Sequence, residues 1–160
     1  MAVDDDVPRL TEIYNHFVLH TGASFEVEPW TVEARREWFG HYAPTGPHRL
    51  LVAELDGRVA GFATSSTFRE RAAYSRSVET SVYCDPDATG RGLGTALYTT
   101  LLAVLAGQDL HRAYAGVALP NDASESLHRR FGFREIGTYT EVGRKFDRWW
   151  DVRWYERPLP

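Results

Sequence analysis

Residues Val78 to Tyr98, V-E-T-S-V-Y-C-D-P-D-A-T-G-R-G-L-G-T-A-L-Y, constrain this chain more than any other stretch. Val78 to Cys84 is rich in β-branched and aromatic residues and predicts a strand, which Asp85-Pro86 stops. Gly90, Gly92 and Gly94 predict a turn. Leu93, Leu97, Leu101 and Leu105 then recur at helical spacing and predict a helix with one apolar face, ending near Gly107. A strand, a glycine turn and a helix N-terminus in succession suit an anion. The first helical N–H groups lack internal partners, the helix dipole favours negative charge there, and glycines remove the Cβ atoms that would keep a phosphate away. The glycines do not follow the dinucleotide pattern G-x-G-x-x-G, because position 95 is Thr95, and no Gly-Lys-Ser/Thr of a nucleotide-triphosphate loop follows. Two readings of the residues stay open: a pyrophosphate cradle of another kind, or a plain glycine turn before a helix.

The flanking chain predicts an α/β domain. Leu10, Ile13, Tyr14, Phe17 and Val18 mark a first helix, with Asp6 as its cap and Pro8 in its first turn. Thr31 caps a second helix that carries Val32, Trp38 and Phe39. Arg49 to Glu54 and Arg58 to Ser65 are strands joined by the hairpin turn Asp56-Gly57. After the central strand, turn and helix come a strand over Ala113 to Ala118 and a short helix from Asn121 to Arg130. Strands over Ile136 to Val142 and Trp150 to Glu156 complete the order α-α-β-β-β-α-β-α-β-β. Repeats, low-complexity tracts and linkers are absent from this sequence, which predicts one domain over residues 1–160.

Composition narrows the function classes. The chain of 160 residues carries a net charge of -4, against a nucleic-acid-binding surface as its main business. The single cysteine, Cys84, forbids an internal disulfide and reads as a small buried hydrophobe. No apolar run approaches the ~18 residues of a membrane span, and Met1-Ala2-Val3-Asp4-Asp5-Asp6 has no signal-peptide character, so a cytoplasmic protein is expected. Of the six histidines, His16 and His20 share a helical spacing but have no third partner signal, so no metal site is expected.

Several side chains stand out chemically. Glu79 lies within an otherwise apolar or hydroxyl-bearing strand, where a carboxylate is costly unless it is paired, functional or on a solvent face. Desolvation would lift its pKa toward the range of a general base. His128 follows Leu127 on the last helix, off the apolar line, and reads either as a satisfied core histidine or as a proton carrier. Asn121 suffices as a helix cap. Arg69, Arg71 and Arg76 precede the central strand, and any of them suits a carboxylate through its two-pronged guanidinium. Phe25 is either a core or a pocket residue.

The segment Arg91-Gly92-Leu93-Gly94-Thr95-Ala96-Leu97-Tyr98 resembles the acyl-CoA-binding motif of the GCN5-related N-acetyltransferases, Gln/Arg-x-x-Gly-x-Gly/Ala. Gly92 and Gly94 fill its glycine places, and Thr89 departs from the usual Gln or Arg. Further stretches resemble the phosphinothricin and methionine sulfone/sulfoximine acetyltransferase branch. They are Ile13-Tyr14-Asn15-His16, Ala23-Ser24-Phe25-Glu26, Val78-Glu79-Thr80-Ser81-Val82-Tyr83, Leu119-Pro120-Asn121-Asp122-Ala123-Ser124, Leu127-His128 with Phe131-Gly132-Phe133, and Trp149 with Asp151-Val152. The resemblance implies a mixed central sheet with helices on both faces, in which the usual first strand is missing or vestigial in Met1 to Val3. It implies acetyl-CoA as co-substrate and the primary amine of a small amino acid or analogue as acceptor, with a peptide N-terminus, or a regulator that binds acyl-CoA without catalysis, as alternatives. It implies Glu79 as base, with His128 near the acetyl group. Val82, Tyr83, Arg91, Gly92, Leu93, Gly94, Thr95, Asn121 and Ser124 are implied for the acyl donor, and Phe25, Arg71 and Tyr74 for the amine. It also implies a homodimer, with which the aromatic residues from Trp149 to Tyr155 are compatible. In Lys145 to Trp149, Asp147 and Arg148 stand where the branch often has Gly-Gly, so this loop is expected to border the substrate.

Overall fold

A computed structural model describes residues 1–160. The helices are α1 (Val7–His20), α2 (Val32–Phe39), α3 (Leu93–Ala106) and α4 (Asp122–Arg130). The strands are β1 (Arg49–Leu55), β2 (Arg58–Thr67), β3 (Ser77–Cys84), β4 (Arg112–Ala118), β5 (Arg134–Lys145) and β6 (Arg148–Pro158). The six strands form one sheet in the order β1-β2-β3-β4-β6-β5. All neighbours are antiparallel except β3 and β4.

Alternation along the strands splits the core between the two faces. Leu51, Ala63, Val78, Ala113 and Ala115 face Leu97, Leu101 and Leu105 of α3. Their neighbours Leu50 and Phe62 face Leu10 and Ile13 of α1, with Trp38 and Phe39 of α2 beside them. The leucine spacing that predicts α3 is therefore the line it buries. β1 and β2 meet through Asp56 and Gly57, both at positive φ (52° and 76°), the geometry that a two-residue hairpin turn requires.

The first strand expected of the family is reduced to one bond: the Ala2 N–H donates to the Leu50 carbonyl at 3.0 Å, and the chain then turns into a short 3₁₀ segment, Asp4–Asp6. Asp6 does not cap α1 as expected. Its carboxylate instead accepts from the Val3 N–H at 2.8 Å, because Asp6 already has helical backbone angles (φ −78°, ψ −22°). Thr31 and Asn121 do cap, accepting from Ala34 N–H at 3.2 Å and Ser124 N–H at 3.1 Å.

Candidate active site

The parallel pair β3 and β4 is in register only from Ser77 opposite Arg112 to Glu79 opposite Tyr114. Beyond these residues the strands diverge. Asp85 N–H still donates to Ala60 of β2 (2.8 Å), and Leu119 N–H donates to Asp151 of β6 (2.9 Å). Main-chain groups alternate direction along a strand, so Val82 and Cys84 on one side, and Gly116 and Ala118 on the other, turn their N–H and C=O groups toward the gap. A sheet opened in its middle thus offers two unpaired edges to an extended, amide-bearing ligand.

A cavity of about 390 Å³ fills this gap and continues to the start of α3. Gly90 and Gly92 hold left-handed angles (φ 76° and 79°), and Gly92 occupies the N-cap position without a side-chain cap. The first N–H bond into the helix comes from Ala96 to Gly92, so Leu93, Gly94 and Thr95 direct unpaired donors outward. Gly94 has a second reason to lack a side chain: a Cβ there would come within 3.3 Å of Leu127 of α4. This end of the cavity has the donors and the helix dipole that a pyrophosphate needs. Arg130 of α4 borders it and donates to Thr95 Oγ1 at 3.3 Å.

A second cavity, of about 440 Å³, opens on the α1 side of the sheet. Ala23, Ser81, Tyr83, Gly116 and Ala118 line both cavities, so they meet at the divergence of the strands. Glu79 and Glu26 supply its carboxylates, and Tyr14, Phe25, Tyr83 and Trp154 its aromatic surface. Burial raises the Glu79 pKa above the ordinary 4.5, while the positive charge of Arg69 partly opposes this. Arg69 packs over Phe68 (4.4 Å) and near Trp154 (5.7 Å), and it is itself exposed and outside the cavity lining. Beneath the wall, Arg35 is 3% exposed and sandwiched between Trp38 (3.4 Å) and Tyr14 (4.2 Å). Its Nε has no hydrogen-bond partner, and burial lowers its pKa to about 10.

His128 is 3% exposed and has both ring nitrogens engaged. Nδ1 donates to the Ser124 carbonyl at 2.7 Å, which leaves Nε2 to accept from the Tyr98 hydroxyl at 2.8 Å. The ring stacks on Tyr155 with 5.6 Å between centroids, and burial lowers its pKa from 6.5. Tyr98 Oη also lies 3.3 Å from Thr80 Oγ1, so this network ties α3 and α4 to β3 just where β3 leaves β4. His128 is thus a satisfied core residue at the cavity wall.

Val82, Tyr83, Gly92, Leu93, Gly94, Thr95, Asn121 and Ser124 all border the first cavity, and Phe25 borders the second beside Glu79. Arg91 does not: it is exposed at the tip of the turn, and Arg130 stands beside the cradle instead. Arg71 and Tyr74 are also exposed and border neither cavity. Arg71 is the N-cap of the 3₁₀ turn Ala72–Tyr74 between β2 and β3, and Tyr74 is its last residue. Arg76 is paired with Asp109 (2.8 Å), which leaves Arg69 as the arginine beside Glu79. Arg130, Tyr14, Glu26 and Trp154 line the cavities without having been assigned a site role from the sequence. Arg130 and Glu26 adjoin residues that line the same cavities, whereas Tyr14 on α1 and Trp154 on β6 reach the second cavity from elements distant in sequence from β3.

Residues 10–133 match the family model described as Acetyltransferase (GNAT) family. The chain is 57% identical over 163 residues to an N-acetyltransferase of Streptomyces griseus, covering 99% of this chain and 84% of that protein. It is 55% identical to the phosphinothricin N-acetyltransferase of Streptomyces coelicolor over 99% of this chain and 94% of the relative. A GNAT-superfamily phosphinothricin acetyltransferase from Sinorhizobium meliloti, crystallised with acetyl-CoA, superimposes with a TM-score of 0.92 at 33% identity, over 99% of this chain and 85% of the other. With its open β3–β4 pair leading to an uncapped, glycine-started helix, this chain belongs to the GNAT acetyltransferase family.

Proposed function

We propose that this protein transfers the acetyl group of acetyl-CoA to the primary amine of a small amino-acid-type acceptor of the phosphinothricin or methionine sulfone/sulfoximine class. One observation carries the reading: the two cavities meet at Ser81 and Tyr83, and Glu79 stands in the second of them, two residues before the junction. Donor and acceptor meet at this junction, and burial raises the pKa of the Cys84 thiol that lines the donor cavity, which keeps it a poor nucleophile and suits direct transfer.

The α3 N-terminus, with Arg130, holds the pyrophosphate, and the outward N–H and C=O groups of Val82, Cys84, Gly116 and Ala118 align the amide-bearing arm. The Val82 and Cys84 donors also face the region where negative charge develops on the thioester oxygen. Glu79 takes the proton that an ammonium must lose before its lone pair can attack. The C–N bond then forms, the C–S bond breaks, the second proton shed by the attacking nitrogen neutralises the departing thiolate, and the products are an amide and a thiol. The raised pKa of Glu79 makes it a stronger base than an exposed carboxylate, and the aromatic walls keep it dry. His128 acts as a positioning residue: it holds Tyr98 and the α4 wall of the donor cavity. Like Arg71, Arg69 is exposed and lines neither cavity, but its charge reaches Glu79, which makes it the first arginine to test as a receptor for the acceptor's carboxylate. Arg71 and Tyr74 serve this purpose only if their exposed turn folds over the mouth.

The protein acts as a homodimer in this reading. Ile136, Tyr139 and Val142 of the edge strand β5 are about half exposed, as is Trp149 at the start of β6. These residues give the sheet edge an apolar surface to bury against a second copy. Sedimentation at micromolar concentration is expected to give twice the chain mass, and a single-chain mass refutes the dimer.

The test of activity follows thiol release from acetyl-CoA with phosphinothricin, methionine sulfone, methionine sulfoximine and a set of short peptides. Turnover of an amino-acid analogue, abolished in Glu79→Gln, is the expected result. Turnover of peptides alone discards the acceptor class.

A further inference from the structure

Part of the wall of the amine cavity is Ala23 to Glu26, in the loop from Thr21 to Glu26. This loop has little structure of its own and is held from outside by the β5–β6 hairpin. Lys145, the last residue of β5, is 5% exposed, and its ammonium donates to the Ser24 carbonyl (2.6 Å) and reaches the Phe17 carbonyl near the end of α1 (3.5 Å). Trp150 Nε1 donates to the Lys145 carbonyl at 2.9 Å, and its ring fills the space that a side chain at Gly22 would need. On the other side of the loop, the Phe25 ring occupies the space of a Cβ at Gly143. Ser24 Oγ lies 2.9 Å from Tyr14 Oη and accepts from Glu26 N–H at 3.2 Å. Lys145 thus acts through Ser24 on three groups that line the amine cavity: Tyr14, Phe25 and Glu26.

We infer that the β5–β6 hairpin is the specificity element of this enzyme, in which Lys145 latches the Thr21–Glu26 loop and Gly143 seats Phe25, so that together they set the width of the amine cavity. The inference rests on the acetyl-transfer reading above and adds which residues choose the acceptor. It also gives a role to the segment Lys145 to Trp149, where the resemblance leads one to expect Gly-Gly at Asp147 and Arg148. The tip residues Phe146 and Asp147 take positive φ (53° and 56°) and close the hairpin tightly, which fixes Lys145 in place. Lys145 touches no reacting atom and is a positioning residue.

Lys145→Met keeps most of the side-chain bulk and removes the ammonium. Gly143→Ala keeps the latch and unseats Phe25. In steady-state assays each is expected to raise the KM for phosphinothricin about tenfold or more, since small displacements of positioning groups have effects of this size. The KM for acetyl-CoA should stay within about twofold, because the donor cavity is built elsewhere. The ratio of kcat/KM for methionine sulfone over phosphinothricin should shift in both variants. Hydrogen exchange gives a reading independent of turnover: the amides of Ser24 to Glu26 should exchange about tenfold faster in Lys145→Met, while α3 keeps its protection. If the parent acetylates none of these amines yet the loop still loosens, the acetyl-transfer reading fails and the latch stands. Unchanged exchange at Ser24 to Glu26, or equal rises in both KM values for Gly143→Ala, overturns the inference.

Discussion

The two cavities of this protein are built from different materials. The donor cavity is mostly main chain: diverging strand edges, two left-handed glycines and a helix start. The amine cavity is mostly side chain: Glu79 and Tyr83 from β3, Tyr14 from α1, Phe25 and Glu26 from a loop, and Trp154 from β6. Every acyl-CoA ester presents the same phosphates and amides, which a fixed array of backbone groups can satisfy. Acceptors differ, and only side chains change without disturbing the sheet. The difference explains why one half of the site reads as a local motif and the other half does not.

The largest effect belongs to the amine side. Glu79→Gln should lower kcat/KM by about 10²- to 10⁴-fold, the usual contribution of a general base, while calorimetric binding of acetyl-CoA stays intact. The parent should lose activity as pH falls through a pKa above 4.5, since the base works only when unprotonated and burial raises its pKa. That acidic limb should vanish in the variant. An unchanged limb would assign the base elsewhere.

On the donor side, conformation rather than side chain should matter. Gly92→Ala forces a Cβ into a φ of 79° and should cost about 1 kcal/mol, seen as a rise in the KM for acetyl-CoA with no change for the amine. Val82→Ala keeps the backbone N–H and should leave donor affinity within about threefold. If Val82→Ala proves the worse of the two, the donor cavity is not a backbone device.

The junction of the two halves should show in stability. The unfolded chain protonates a histidine at its ordinary pKa near 6.5, whereas burial lowers that of His128 in the folded state. Stability from His128 is therefore present above pH 6.5 and is lost as pH falls toward its lowered value. Denaturant midpoints should fall over this range in the parent, and this fall should be smaller in His128→Gln. The smallest effect is expected at the turn. Arg130→Ala should raise the KM for acetyl-CoA a few-fold in a salt-dependent manner, about the worth of one partly screened charge. Arg91→Ala should change it little.

Much of this was written locally. The strand, turn and helix from Val78 to Ala106 follow from β-branched residues, glycines and leucines at helical spacing, because those preferences act over one or two turns of chain. The Asp56-Gly57 hairpin and the Thr31 and Asn121 caps are local for the same reason. The sequence also singled out Glu79 as a carboxylate out of place in its strand, and tertiary structure supplied the desolvation that raises its pKa. Other features required the whole fold. Arg71, Arg69 and Arg76 look alike in sequence, and only packing pairs Arg76 with Asp109, exposes Arg71 and sets Arg69 near Glu79. Arg130 reaches Thr95 across 35 positions, and Lys145 reaches Ser24 across 121. Local preference can specify what each segment becomes, but a pocket wall is a meeting of distant segments, and no short stretch of chain encodes which side chains will share it.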